Sequence, residues 1–252
     1  MTLTSWTFTP DEFVHVWSTE TGLVGDYPHP INLIESPLTT SEYDRLQADL
    51  AVRYPPHADR DLTMSLQVLA NPELRIVCNG WSHITEERVR SCAVASGDLG
   101  VVVHQKPGAA VEFGGDLRVV VTQRRRIGRL MAATMPIAAP GAAGPLHGYT
   151  PRVRGEESPT SWLQDDFGDG PVEERIRDLL RAPRGLDGYL RIERGIHQGH
   201  PASREFLSWI DVLDPASAAG RYLIEVANDD TIVSPASTQA IADVLCRRAD
   251  LE

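Results

Sequence analysis

Residues 74–134 are echoed, weakly but in order, by residues 190–245, and this internal repeat constrains the fold more than any short motif in the chain. Leu74-Arg75-Ile76 lines up with Leu190-Arg191-Ile192, Arg88 with Arg204 and Cys92 with Trp209. Gly100-Val101-Val102-Val103 lines up with Gly220-Arg221-Tyr222-Leu223, and Val119-Val120-Val121 with Thr231-Ile232-Val233. In each copy, short runs rich in β-branched and apolar residues lead into a helical stretch, at 124–135 and 234–248. Two copies do not make a solenoid, which needs at least about three repeats to bury a continuous core. The pattern therefore predicts one domain over 1–252, built from related halves of about 1–123 and about 124–252.

A chain of 252 residues with 42% apolar content can bury a full hydrophobic core. Its formal charge of -11 opposes a broad nucleic-acid partner, which would call for a basic field. The single basic run, Arg124-Arg125-Arg126, reads as a solvated helix start. Cys78, Cys92 and Cys246 are odd in number, far apart and in no CxxC arrangement. They suit core thiols in a reducing cytosol rather than disulfides or a thiolate zinc site. The N-terminus lacks a basic region followed by an apolar stretch, and no run of 18 apolar residues occurs. The expectation is a soluble cytoplasmic protein without membrane insertion.

Local signals place the elements. Thr9-Pro10-Asp11-Glu12 and Thr39-Thr40-Ser41-Glu42 are capping boxes that open helices, the second stopped by Pro55-Pro56. A third helix is predicted over 59–70, and residues 31–34 read as an edge strand between prolines. Strands are expected near 73–81, 86–96, 99–106 and 117–123, and again near 188–195, 204–213, 220–227 and 230–233. Their short connections imply antiparallel meanders. Helices are predicted at 125–135, at 171–182, and from Ser234-Pro235 onward. The Ala/Gly/Pro-rich stretch 136–151 has no period and is expected to be a flexible linker between the halves. Strands grouped together with helices at the ends of each half define an α+β class.

No glycine-rich phosphate loop, nucleophile elbow, HExxH or paired-cysteine signature is present, so no catalytic residue is assigned. His197 and His200, with Asp211 or Glu193, could hold a divalent metal. Gly195, Gly199 and Pro201 make that segment a turn, however, and turns lack the helical face on which ligands converge. Asp165, Asp166 and Asp169 lack the spacing of a calcium loop and read as a solvated acidic segment. What remains is apolar surface in irregular places: Trp81 at a turn, and Trp162, Leu163 and Phe167 in an unpatterned stretch. Such aromatics either cap the core or anchor a protein partner.

The tail, Trp209-Ile210-Asp211 followed by Gly220-Arg221-Tyr222-Leu223 and by Ser234-Pro235, resembles the C-terminal signature of the EspG family, cytosolic chaperones associated with ESX (type VII) secretion. Thr9-Pro10-Asp11-Glu12-Phe13 with Trp17 resembles that family's opening, and the order of elements fits across nearly the whole chain. Lys106 is the only lysine, and this Arg-rich, Lys-poor composition agrees with the high-GC bacteria that carry such systems. The resemblance implies a central antiparallel β-sheet flanked by two helical bundles, with quasi-twofold related N- and C-terminal halves.

It also implies a task. Family members bind the apolar tip of a PPE protein in its PE–PPE heterodimer, keep it soluble, and present it to one secretion machine. Their contacts come largely from the C-terminal helical bundle and a sheet loop, with no motif that transfers residue by residue. The matching elements here nominate Trp81, Ile127, Leu130, Met131, Trp162, Leu163 and Phe167 as partner-binding residues, and no cofactor or metal. The insert at 136–151 departs from the family pattern. Whether the free protein forms a homodimer through the same surface stays open. The rival readings are a small-molecule enzyme or metalloprotein using His197 and His200, and a non-secretory adaptor that binds another protein surface.

Overall fold

The computed structural model describes residues 4–158, 170–197, 200–214 and 218–251. In the first half, β1 (Ser5–Phe8) leads into α1 (Pro10–Thr21), α2 (Thr40–Arg53) and α3 (Arg60–Ala70). There follow β2 (Leu74–Ser82), β3 (Arg88–Ser96), β4 (Leu99–Pro107), β5 (Gly114–Gln123), a 3-10 turn at Arg124–Arg126, and α4 (Ile127–Ala133), so that the first half runs past the expected boundary near 123 to take in α4, the counterpart of the last helix. The second half repeats the plan: β6 (Leu146–Tyr149), α5 (Thr150–Arg154), α6 (Val172–Arg181), β7 (Arg184–His197), β8 (His200–Val212), β9 (Gly220–Ala227), β10 (Asp230–Pro235) and α7 (Thr238–Arg248).

Among the described residues ten strands form one sheet in the order β1-β5-β4-β3-β2-β7-β8-β9-β10-β6, and every paired neighbour is antiparallel. Outward from the central β2–β7 pair, the order 2-3-4-5-1 on one side is matched by 7-8-9-10-6 on the other. Ile76 lies opposite Ile192, Cys78 opposite Leu190 and Gly80 opposite Gly188. A twofold axis normal to a sheet reverses strand direction while preserving faces, so an antiparallel central pair is what the repeat requires.

Because side chains alternate between faces, the sheet carries separate cores. On one face Leu74, Ile76, Cys78, Leu190, Ile192 and Trp209 pack beneath α4 and α7. On the other, α1 and α3 cover Cys92, Val94, Val101, Val103 and Val119 on one flank. There α5 and α6 cover Ile210, Val212, Tyr222, Ile224 and Val233 on the opposite flank. The repeat is out of phase by one residue in places. Val102 lies on the α4–α7 face while Tyr222 lies on the opposite one, so Val102 corresponds to Leu223. Cys92 and Trp209 are likewise on different faces.

Both capping boxes form. Thr9 Oγ1 accepts from the Glu12 amide at 3.3 Å while Glu12 Oε2 accepts from the Thr9 amide at 2.8 Å, and Thr39 with Glu42 repeats the arrangement. Three expectations are corrected. Residues 31–34 form no strand: the buried Gln105 amide bonds Asn32 (Nε2 to O, 2.9 Å; N to Oε1, 3.2 Å), and Ile31 and Leu33 fill the core under α1 and α3. The last helix is capped by Ser237, whose hydroxyl accepts from the Ala240 amide at 3.1 Å, because Ser234 and Pro235 continue the ladder with β9.

The stretch 136–151 is no featureless linker. It holds β6, paired with β10, and its backbone clasps β9: the Arg221 amide donates to Ala139 O at 2.8 Å and the Gly141 amide to Arg221 O at 2.9 Å. Tyr222 closes the clasp, its hydroxyl donating to Ala218 O at 2.6 Å and accepting from the Ala143 amide at 2.8 Å.

Candidate partner-binding surface

Trp81 sits near the end of β2, half-buried, with the Arg88 guanidinium 5.1 Å from its ring centroid; the two are directly opposite in the β2–β3 register. Beyond Trp81 the chain turns through 83–87. Ser82 Oγ accepts from the Thr85 amide at 3.1 Å, and the His83 amide donates to Gly185 O at 2.8 Å. This tight turn leaves Ile84 67% exposed.

Leu213, just past β8, is 49% exposed and meets Ile84 over Gly185. A Cβ at Gly185 would lie 2.8 Å from Leu213 Cδ2 and 2.9 Å from Ile84 Cδ1. Polar and charged groups rim this apolar pair: His83 lies 3.2 Å and Arg184 3.4 Å from Asp187. Sequence reading did not single out Ile84 or Leu213. The available signal was one aliphatic residue inside an otherwise polar turn, His83-Ile84-Thr85-Glu86-Glu87.

Ile127 and Met131 are not at a surface. Both are fully buried between the sheet and α7, so neither can meet a partner in this conformation. Gly128 lets α7 come this close, since a Cβ there would stand 2.9 Å from Cys246 Sγ. Leu130, packed against the rim of that core, is half-buried and lines a cavity of about 280 Å³ with Val102, Val120 and Ala133. His104, Arg118 and Thr134 are its polar members. His104 Nδ1 lies 3.0 Å from Ser91 Oγ; burial, aided by nearby Lys106, holds its imidazole below the ordinary range. Trp162, Leu163 and Phe167, and the acidic cluster around Asp165, lie outside the described residues.

His197 and His200 are backbone partners in the register at the end of the β7–β8 pair. The carboxylates that could join them are engaged elsewhere. Glu193 is buried among Arg75, Arg191 and Arg204 at 3.4, 3.3 and 3.0 Å, and Asp211 is paired with Arg221. Among the described residues no group of three or more His, Cys, Asp or Glu side chains is placed to hold a metal ion. No described helix is long and apolar enough to cross a membrane.

A pseudo-twofold antiparallel sheet with helices on both faces and an exposed apolar pair at one end defines the class: an α+β scaffold assembled from two repeated halves. The EspG family model matches residues 9–247, and the chain belongs to the EspG family. Among solved structures it is similar to the Mycobacterium tuberculosis type VII secretion system chaperone EspG5, solved in complex with a PE25–PPE41 dimer. The TM-score is 0.56 at 15% identity, covering 95% of this chain and 94% of that one. No curated protein matches the chain.

Proposed function

We propose that this protein is a cytosolic chaperone of an ESX (type VII) secretion system, one that covers the apolar tip of a PPE protein within a PE–PPE heterodimer and keeps it soluble for export. Membership of the EspG family supports the reading, as does the client seen with the similar chaperone EspG5. The observation that carries it is the Ile84–Leu213 pair, two exposed aliphatic side chains held together at one end of the sheet and rimmed by charge. Contiguous apolar surface on a soluble protein marks an interaction site, and covering it against a second apolar surface removes both from water. Trp81 with Arg88 stands at the same end and extends the patch with an aromatic anchor. Trp162, Leu163 and Phe167 remain candidate contacts. Binding of this kind needs no bond-making chemistry.

Co-expression with the PE–PPE pairs of its own genome tests the proposal. One pair should co-purify as a soluble ternary complex, and the double variant Ile84→Asp with Leu213→Asp should lose it while keeping the wild-type melting temperature. Failure to capture any pair, or full capture by the double variant, counts against it.

A further inference from the structure

The two halves repeat one helix-on-sheet groove but fill it differently. Ile127 and Met131 of α4 correspond to Ile241 and Leu245 of α7, all fully buried in the same core. The same interval separates Val119 on β5 from Val233 on β10, both fully buried under the outer helices of their halves. Carried along the strand registers, this equivalence sets Thr134 against Arg248, His104 against Glu225 and Val89 against Glu205.

In the second half the groove is occupied by charge. Arg248 pairs with Glu225 and, at 3.4 Å, with Glu205, while Arg194 bonds both Glu205 and the Arg248 carbonyl. In the first half Thr134, His104 and Val89 are too short to span the same space. The cavity of about 280 Å³ remains, walled by Val102, Val120 and Leu130. Arg118 stands at its mouth, exposed and opposite His104 in the β4–β5 register. Its guanidinium has no hydrogen bond or ion pair among the described residues. Lys106, the next cation on β4, is already 3.7 Å from Asp116.

We propose that this cavity is a ligand site for an amphiphilic monocarboxylate of medium chain length, the alkyl chain against Val102, Val120 and Leu130 and the carboxylate on Arg118. The walls reward an apolar chain in proportion to the area it buries. A guanidinium presents a planar fork that a carboxylate fills with two parallel bonds. With the His104 imidazole pushed toward its neutral form and Lys106 paired, Arg118 is the one unpaired cation among the described residues that line the cavity, and it matches one negative charge. The volume lies just below the ~300–1,000 Å³ typical of ligand pockets, which suits a short chain with a small headgroup better than a nucleotide or a full-length lipid.

Calorimetric titration of the free, full-length protein at pH 7 with octanoate, octanol and acetate tests this site independently of the client. Octanoate should bind saturably and 1:1, octanol about tenfold more weakly for want of the charged hydrogen bonds, and acetate not measurably. Leu130→Trp, which fills the cavity, should abolish octanoate binding; Val120→Phe serves the same end if the first variant does not fold. Arg118→Gln should bring octanoate down to the affinity of octanol. The Ile84→Asp, Leu213→Asp variant should bind octanoate unchanged, which separates this site from the client-binding end of the sheet. Octanoate that fails to saturate, equal affinity for octanol, or wild-type binding by a folded, cavity-filled variant overturns the proposal.

Discussion

Arg221 is 1% exposed, and its Nε and Nη2 donate to the two carboxylate oxygens of Asp211 at 2.7 Å each, while its guanidinium carbon lies 5.0 Å from the centroid of the Trp209 ring. The pair spans the β8–β9 ladder, Asp211 directly opposite Arg221. A charge this deep is tolerated only when paired in good geometry, and removing one partner strands the other in low dielectric. Asp211→Ala should therefore cost about 3–5 kcal/mol, read as a lowered urea midpoint. Replacing both members with apolar residues, Asp211→Leu with Arg221→Met, should recover most of it. A single variant as stable as wild type would show the pair to be dispensable.

Gly141 lies against the Tyr222 ring, where an added Cβ would stand 1.9 Å from Cζ. Gly141→Ala must push either the ring or the 139–143 backbone away from β9, at a cost of about 1–3 kcal/mol for overpacking. Limited proteolysis should find new cleavage within 136–145, a segment the wild type protects through its bonds to β9.

Glu12 closes the first capping box and also accepts from Arg53 Nη1 at 2.7 Å. Burial works to raise its pKa, but the Thr9 amide and Arg53 overcome this and hold the carboxyl below its ordinary value. A depressed carboxylate contributes stability above its unfolded pKa and loses it as the pH falls. Glu12→Gln should thus destabilise the protein at pH 7 and have little effect at pH 3. Thr9→Ala should cost about 1 kcal/mol at pH 7 through loss of the cap. Urea titrations at the two pH values distinguish these outcomes.

Cys78 and Cys92 are fully buried, and desolvation pushes each thiol up to about 12. The native protein should leave both unmodified by a thiol reagent at pH 8, with labelling appearing only in denaturant, as followed by mass spectrometry. The folded state holds these protons more tightly than the unfolded chain. Stability should therefore be intact below about pH 9 and decline as the pH rises toward 12. Cys78→Ser and Cys92→Ser together should flatten that decline.

Helix starts were legible because capping is local chemistry. Thr9 with Glu12 and Thr39 with Glu42 satisfy their own orphan amides wherever the rest of the chain goes. The eight meander strands were legible from β-branched runs bounded by turn residues. By contrast β1, β6 and α5 span only four or five residues, too few for any period to register, and each exists because a neighbour offers an edge or a face. Ile127 and Met131 teach the same lesson about the site. An apolar stripe on a helix announces a buried side without saying whether the chain's own sheet or a partner covers it, and here α7 and the sheet cover it.

Sequence alone, through the repeat and its tail motifs, determined that there are two related halves, where their longer strands and capped helices lie and which family they join, because these rest on short-range pattern and residue identity. Tertiary structure decided that the halves meet through antiparallel β2 and β7, that Ile84 and Leu213 come together over Gly185, and that one groove is filled with charge while its counterpart is left open. Those outcomes depend on which side chains arrive at the same place from residues far apart in the chain, and only packing in three dimensions brings them there.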